Sequence, residues 1–250
     1  MSSAPCYLIE PSAAALADTV ATRLGATLAA ALERGPAAHL VLTGGSILEQ
    51  SMRAVTTQRW RTELDWPRVH VWWGDERFVA AESDERNDKA ARAALLDALP
   101  LDPARVHRMP STASGYPDLD SAAAGYTNDL AEATGRTAEL PAFDVVLLGM
   151  GPDGHCASLF PGHPGTSRTE PAFGVHDSPK PPPERISLSF RALDAAREIW
   201  IIASGSAKAD AVARAHGVVD AVGVPVSRPR GTDATWWLLD AEAAAGLPAH

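Results

Sequence analysis

Cysteine is nearly absent from this chain. Cys6 and Cys156 are the two present among 250 residues, and neither stands in a CxxC or metal-ligand spacing, which argues against a disulfide framework and fits a reducing compartment. Long hydrophobic runs are missing too. A spanning helix needs roughly 18 apolar residues, and the best stretch, Phe143 to Met150, is broken by Asp144. The opening MSSAPCYLIEPS has no basic region followed by a sustained apolar stretch, so no secretory leader and a cytoplasmic location are expected. Positive charge is in deficit: 22 Lys plus Arg stand against 31 Asp plus Glu, a net −9. An acidic mean field disfavours nucleic acid as a partner, and nothing points to a membrane. An anionic small molecule fits only if cations are gathered locally. There is no internal repeat.

The composition itself is ordinary for a globular protein, with 46% hydrophobic and 21% charged residues. At this length one domain spanning 1–250 is expected. After Ser12, a good N-cap, Leu16, Val20, Leu24, Leu28 and Leu32 recur every fourth residue up to Arg34, with Gly35 beyond: an amphipathic helix with a stop. HLVLT at 39–43 reads as a buried strand, Gly44-Gly45-Ser46 as a tight loop, and Ile47 to Val55 as a helix. The same order recurs at Val69–Gly74, followed by a charged loop Asp75–Asn87 and a helix to Leu99, and again at Phe143–Leu148. Further strands are expected at Arg185–Phe190, Glu198–Ala203 and Thr235–Leu239, with helices at Asp118–Ala133 and Ala207–Ala215. Alternating helices and doubly apolar strands predict an α/β fold, a mostly parallel sheet covered by helices on both faces. Ligands in such sheets bind beyond the carboxyl ends of the strands at a topological switch point. From Pro161 to Glu184, seven prolines and three glycines predict a long loop or lid.

Several residues could carry chemistry. Gly44, Gly45 and Ser46 between strand and helix could present backbone N–H groups to a phosphate, or simply form a tight turn with Ser46 as N-cap. In Asp75-Glu76-Arg77, the Arg77 fork suits phosphate or carboxylate oxygens, or belongs to a solvated ion pair. Trp72, Trp73, Trp236 and Trp237 lie in strand-like runs and read as core or sheet-face residues. GMGPDG at 149–154 matches the G-x-G-x-x-G dinucleotide spacing, but that fingerprint needs a full helix after the third glycine, and here HCASLF and a proline-rich run follow. What this loop offers instead is His155, able to accept a proton near neutral pH, with Asp153 two residues earlier to orient it or to form an Asx-type turn. Lys180, in SPKPPP, could present an ammonium to an anion or be an exposed linker lysine. Cys156 reads as a small packing residue.

In order and spacing, the GGS loop, the DER loop, FDVVLLGMGPDGHCASLFPG and SPKPP resemble the 6-phosphogluconolactonase family, and the likeness runs from the first helix to TWWLLDAEAA. Two departures stand out. Ile47-Leu48 follow GGS where the family usually has Thr-Pro, and Arg86 replaces a serine before the matching Asn87. The resemblance implies a modified doubly wound fold similar to the glucosamine-6-phosphate deaminase and ribose-5-phosphate isomerase group. It implies hydrolysis of 6-phospho-D-glucono-1,5-lactone in the pentose phosphate pathway, no cofactor and no metal, and a monomer or small homo-oligomer. The site it implies has His155, Asp153 and Arg77 as catalytic residues and Gly44, Gly45, Ser46, Asp75, Arg77, Asn87, Gly151 and Lys180 binding substrate. A deaminase or isomerase on the same fold is the rival enzyme, set aside by DER and SLFPG. A non-catalytic sugar-phosphate sensor is set aside because His155, Asp153 and Arg77 are all present and no output module is appended.

Overall fold

The computed structural model describes residues 4–134 and 140–248; Met1 to Ser3, part of the stretch read for a leader, lie outside them. In chain order the elements are β1 (Cys6–Glu10), α1 (Ala13–Arg34), β2 (Ala38–Leu42), α2 (Ser46–Val55), β3 (Val69–Trp73), β4 (Asp75–Arg77), α3 (Asn87–Ala94), β5 (Val106–His107), α4 (Leu119–Glu132), β6 (Val145–Gly149), β7 (Ala172–Val175), β8 (Arg185–Leu188), α5 (Phe190–Leu193), β9 (Glu198–Ala203), α6 (Ala209–Ala215) and β10 (Ala234–Asp240). Seven strands form one sheet in the order β1-β10-β9-β6-β2-β3-β5, every pair parallel. This is the α/β sheet the alternating pattern predicts. No helix among the described residues is long and apolar enough to cross a membrane.

Helix α1 shows how pattern becomes packing. Ser12 caps it by accepting from the Ala15 N–H, and Leu16, Val20, Leu24 and Leu28 are all buried. They pack against α2 and β10, and each fully buried leucine stabilises the fold by about 1.5–3 kcal/mol. Along the chain β2 leads to β3 and β5 on one side, while β6 leads to β9 and β10 on the other. The winding therefore reverses between β2 and β6, which pair over only Leu40–Val145 and Val41–Val146. Past that short ladder Thr43 bridges the two strands: its hydroxyl donates to the Leu147 carbonyl at 3.0 Å and accepts from the Gly149 N–H at 3.0 Å.

Several boundaries differ from the sequence reading. Asp75–Arg77 is not loop but the short strand β4, which pairs antiparallel with β8, and β8 with β7, in a second three-stranded sheet. Arg185–Leu188 thus leaves the main sheet, and Phe190 opens α5. Within the proline-rich stretch, the proline-free AFGV makes a fully buried strand against β8. Helix α3 ends at Ala94, short of Leu99. Ser46 is the first helical residue of α2, and Gly45 is the cap. Strands β1, CYLIE, and β5, two residues long, are absent from the sequence reading.

Beneath β4 lies a buried charged cluster that also settles where Arg86 goes. Glu76 accepts from the N–H groups of Arg77, Asn87 and Asp88, each at 2.8 Å. Arg86, 1% exposed, meets Asp88 at 2.9 Å and Glu76 at 3.8 Å and donates to the Met109 carbonyl at 2.7 Å; Arg108 reaches Asp88 from outside. The arginine that replaces a serine therefore points into the protein and fastens β4 to the start of α3. Arg86→Ala would leave Asp88 with Arg108 alone, Glu76 with its three backbone donors alone and the Met109 carbonyl unpaired by this side chain, a loss of about 1–3 kcal/mol, measurable by urea unfolding; a loss below about 1 kcal/mol would show the cluster to be energetically idle.

On one face of β2, β3 and β5, His39, His70 and His107 stack with Trp72, the His39–His70 and Trp72–His107 centroids lying 4.5 and 3.6 Å apart. Burial first, then the other imidazoles and Arg105, push all three from 6.5 down to about 4. Between those values the unfolded chain takes up protons that the folded one refuses, so stability is full above pH 6.5 and is lost as pH falls toward 4. The midpoint of thermal unfolding should drop across that window, and less so in His70→Gln; identical pH curves would contradict this.

Candidate active site

The switch point between β2 and β6 opens a cavity of about 300 Å³, walled by the loops that leave β2, β3, β6 and β9 and by the segment entering β8. The floor is the start of α2. Gly45 takes φ +134°, a conformation L side chains rarely adopt, and lets the chain turn directly from strand into helix. The first intrahelical bond runs from the Glu49 N–H to the Gly45 carbonyl. The N–H groups of the first turn, at Ser46, Ile47 and Leu48, thus precede the helical ladder, and the helix dipole makes this end favourable to an anion. Gly44, Gly45 and Ser46 all line the cavity. Asn87 lies against Gly44 and donates to the Asp75 carbonyl at 3.0 Å, so it ties the β2 loop to β4.

The β6 loop supplies the ionisable pair. Its glycines do not open a helix: the Gly151 N–H donates to the His155 carbonyl at 3.0 Å, and Met150 and Cys156 form an antiparallel bridge, so the chain doubles back on itself. That hairpin sets Asp153 and His155 side by side, with Nδ1 2.6 Å from the Asp153 carboxylate. A Cβ on Gly151 would fall 2.1 Å from the same Nδ1, so only glycine fits beneath the ring. Phe160 packs against the imidazole at 4.8 Å between centroids. From behind, Arg214 donates to the Asp153 carbonyl and the Val226 N–H to the Gly154 carbonyl.

Lys180 closes this group. Its ammonium lies 3.2 Å from Asp153 Oδ1 and 3.1 Å from His155 Nδ1. Burial opposes ionisation of Asp153, but the hydrogen bond and charge of His155, and then Lys180, outweigh it and hold the carboxyl well below the usual range. Ionised, Asp153 can only accept, so the Nδ1–H is directed at the carboxylate, and in the neutral imidazole this tautomer leaves the lone pair on Nε2.

The remaining residues divide between wall and frame. Asp75 is buried, and its carboxylate accepts from the Ser158 hydroxyl at 2.7 Å. Arg77 lines the cavity; one of its terminal nitrogens donates to the Glu85 carbonyl, while its Nε is buried with no hydrogen-bond partner among the described residues. Two cationic residues escaped the sequence reading. Arg185 begins a strand, RISLSF, that was read only as structure, and Lys208 follows β9 in SGSAK, a small-residue loop after a buried strand that repeats the logic of GGS. Burial, then the charge of Lys180, pushes the Lys208 ammonium below its ordinary range. Around the cavity Arg77, Lys180, Arg185 and Lys208 face the single carboxylate of Asp75, a local positive excess inside a protein of net charge −9. All the residues expected at the site line this cavity except Asp153, which stands directly behind His155.

A family model described as glucosamine-6-phosphate isomerases/6-phosphogluconolactonase matches residues 11–237. The 6-phosphogluconolactonase of Streptomyces coelicolor is 44% identical over 252 residues, 99% of this chain and 97% of that protein. That of Mycobacterium leprae is 45% identical over 228 residues, 90% of this chain and 92% of that one. Among solved structures, the 6-phosphogluconolactonase from Trypanosoma cruzi superposes with a TM-score of 0.81 at 26% identity, covering 100% of this chain and 99% of that one.

The crowding under the ring makes Gly151 the sharpest test of the geometry. In Gly151→Ala the added carbon should displace His155 from Asp153, seen as a changed ring ¹⁵N spectrum for His155, with the fold intact by circular dichroism. An unchanged spectrum would mean that the turn yields elsewhere.

Proposed function

Because the chain belongs to the glucosamine-6-phosphate isomerase/6-phosphogluconolactonase family, we propose that it hydrolyses 6-phospho-D-glucono-1,5-lactone to 6-phospho-D-gluconate, the lactone-opening step of the oxidative pentose phosphate pathway, in the cytoplasm. One observation carries the mechanism: His155 Nδ1 lies 2.6 Å from the Asp153 carboxylate, at the edge of a cation-lined cavity, which favours the tautomer protonated on Nδ1. Nε2 is then placed to take a proton from water as its oxygen attacks C1 of the lactone. The tetrahedral intermediate collapses by breaking the bond from C1 to the ring oxygen. The proton held by His155 passes to that leaving oxygen, and the carboxylic acid left at C1 gives up its remaining proton to solvent, which yields the product carboxylate and regenerates the neutral imidazole.

Negative charge develops on the former carbonyl oxygen and needs donors already in place. The Arg77 guanidinium, which lines the cavity, fits that part. The phosphate, remote from the reacting bond, is met by the N-terminal turn of α2 at Gly44, Gly45 and Ser46, and by Lys180 and Lys208. Asp75, held by Ser158, and Asn87 offer acceptors and donors for sugar hydroxyls between the two ends.

His155→Gln should lower kcat by about 10²- to 10⁴-fold with KM little changed, followed in a pH-stat as base consumed above spontaneous lactone hydrolysis. A variant with wild-type kcat would remove His155 from the role of base. Ammonia release from glucosamine-6-phosphate should be absent in the same preparation, and its appearance would move the chain to the deaminase branch.

A further inference from the structure

The lysine beside the proposed base stands where it hinders the base. Asp153 Oδ1 is shared: His155 Nδ1 lies 2.6 Å from it and Lys180 Nζ 3.2 Å, while Nζ and Nδ1 are 3.1 Å apart. An imidazolium formed at His155 would face an ammonium at contact distance and would hold only part of the carboxylate that should stabilise it.

The two ends of Lys180 are held very differently. Its backbone is clasped by Arg185, which donates from Nη2 to the Lys180 carbonyl at 3.2 Å and to the Pro181 carbonyl at 3.0 Å, and from Nε to the Pro182 carbonyl at 3.3 Å. Ser178 fixes the same turn, its hydroxyl donating to the Lys180 carbonyl at 2.9 Å and accepting from the Lys180 N–H at 3.2 Å. The side chain is 38% exposed, and its contact with Asp153 is a single, partly solvated ion pair, a kind of interaction with small net strength. A flexible four-carbon stem therefore pivots on a rigid base. Across the same cavity stands Lys208, whose own charge is disfavoured by Lys180. A dianion between them relieves that repulsion and outcompetes one shared carboxylate oxygen.

We propose, on the reading given under Proposed function, that Lys180 is a substrate-released brake on His155: its ammonium shares Asp153 with the imidazole until the phosphate of the substrate draws it away, leaving Asp153 wholly to His155. Lys180 thereby becomes a positioning residue that reports the phosphate end of the substrate to the base. Binding energy at the phosphate is converted into reactivity at C1, and a lactone without phosphate meets a braked enzyme.

The test uses D-glucono-1,5-lactone, which lacks the phosphate, with inorganic phosphate supplied separately, each rate corrected for the same solution without enzyme. Wild type should turn this lactone over slowly and be stimulated about tenfold or more by inorganic phosphate. Lys180→Met should exceed wild type without phosphate and gain nothing when it is added. A Lys180→Met enzyme slower than wild type on this lactone, or stimulated to the same degree, would overturn the brake, as would a wild type indifferent to phosphate. A second measurement needs no variant: inorganic phosphate should shift the His155 ring ¹⁵N signals of wild type, and unchanged signals also count against the proposal. Failure of wild type to hydrolyse 6-phospho-D-glucono-1,5-lactone would instead remove the underlying function.

Discussion

The reversal of winding between β2 and β6 is the constraint on which the site depends. Parallel strands need crossovers, and crossovers of one hand put successive strands on the same side, so a cleft opens only where the direction changes. Here the two central strands share just two residue pairs before they separate, and the Thr43 hydroxyl spans the gap by serving both the Leu147 carbonyl and the Gly149 N–H. The loop after β2 becomes an anion seat and the loop after β6 a hairpin bearing an imidazole. They face each other because they leave neighbouring strands in different directions.

A second, smaller sheet turns this cleft into a charged cavity. β4 continues from β3 through Gly74 and pairs with β8, so Arg77 and Arg185 are register partners at the end of that ladder. Two like charges on paired strands repel. Arg185 is offset by the carbonyls of residues 180–182 and lies over the Phe160 ring, while Arg77 turns toward Glu85 and the cavity. The antiparallel sheet thus holds the cations of the wall on a backbone that the buried Glu76–Arg86–Asp88 cluster keeps from shifting. An acidic protein collects a local positive field by spending buried carboxylates on the frame and leaving cations at the rim.

Much of this was legible in the sequence, and the limits have physical causes. Main-sheet strands with sustained apolar runs and the four-residue periodicity of α1 were plain, because burial on both faces or along one stripe demands those patterns. The short strands were not. β4 is three charged or polar residues whose strand character comes wholly from pairing with β8, about 110 positions away. AFGV in β7 is hidden among prolines. Lys208 and Arg185 were overlooked because a lysine in a small-residue loop and an arginine at the start of a strand are commonplace; only the fold brings them to one cavity. Asp153 and His155 could be paired in advance because two residues of one turn need no tertiary information to meet.

That turn also shows why a glycine spacing alone does not specify a ligand. G-x-G-x-x-G binds a pyrophosphate when the third glycine runs into a helix whose dipole completes the site. In GMGPDG the third glycine, Gly154, has φ +92° and is followed by His155, whose carbonyl accepts from the Gly151 N–H. The backbone donor that would face a phosphate in the dinucleotide motif is consumed within the hairpin. Its absent side chain leaves the space that the imidazole fills at 2.1 Å from the virtual Cβ. The same three glycines that could have cradled an anion therefore shape a proton acceptor, and anion binding falls to the neighbouring loop, where Gly45 does lead into a helix.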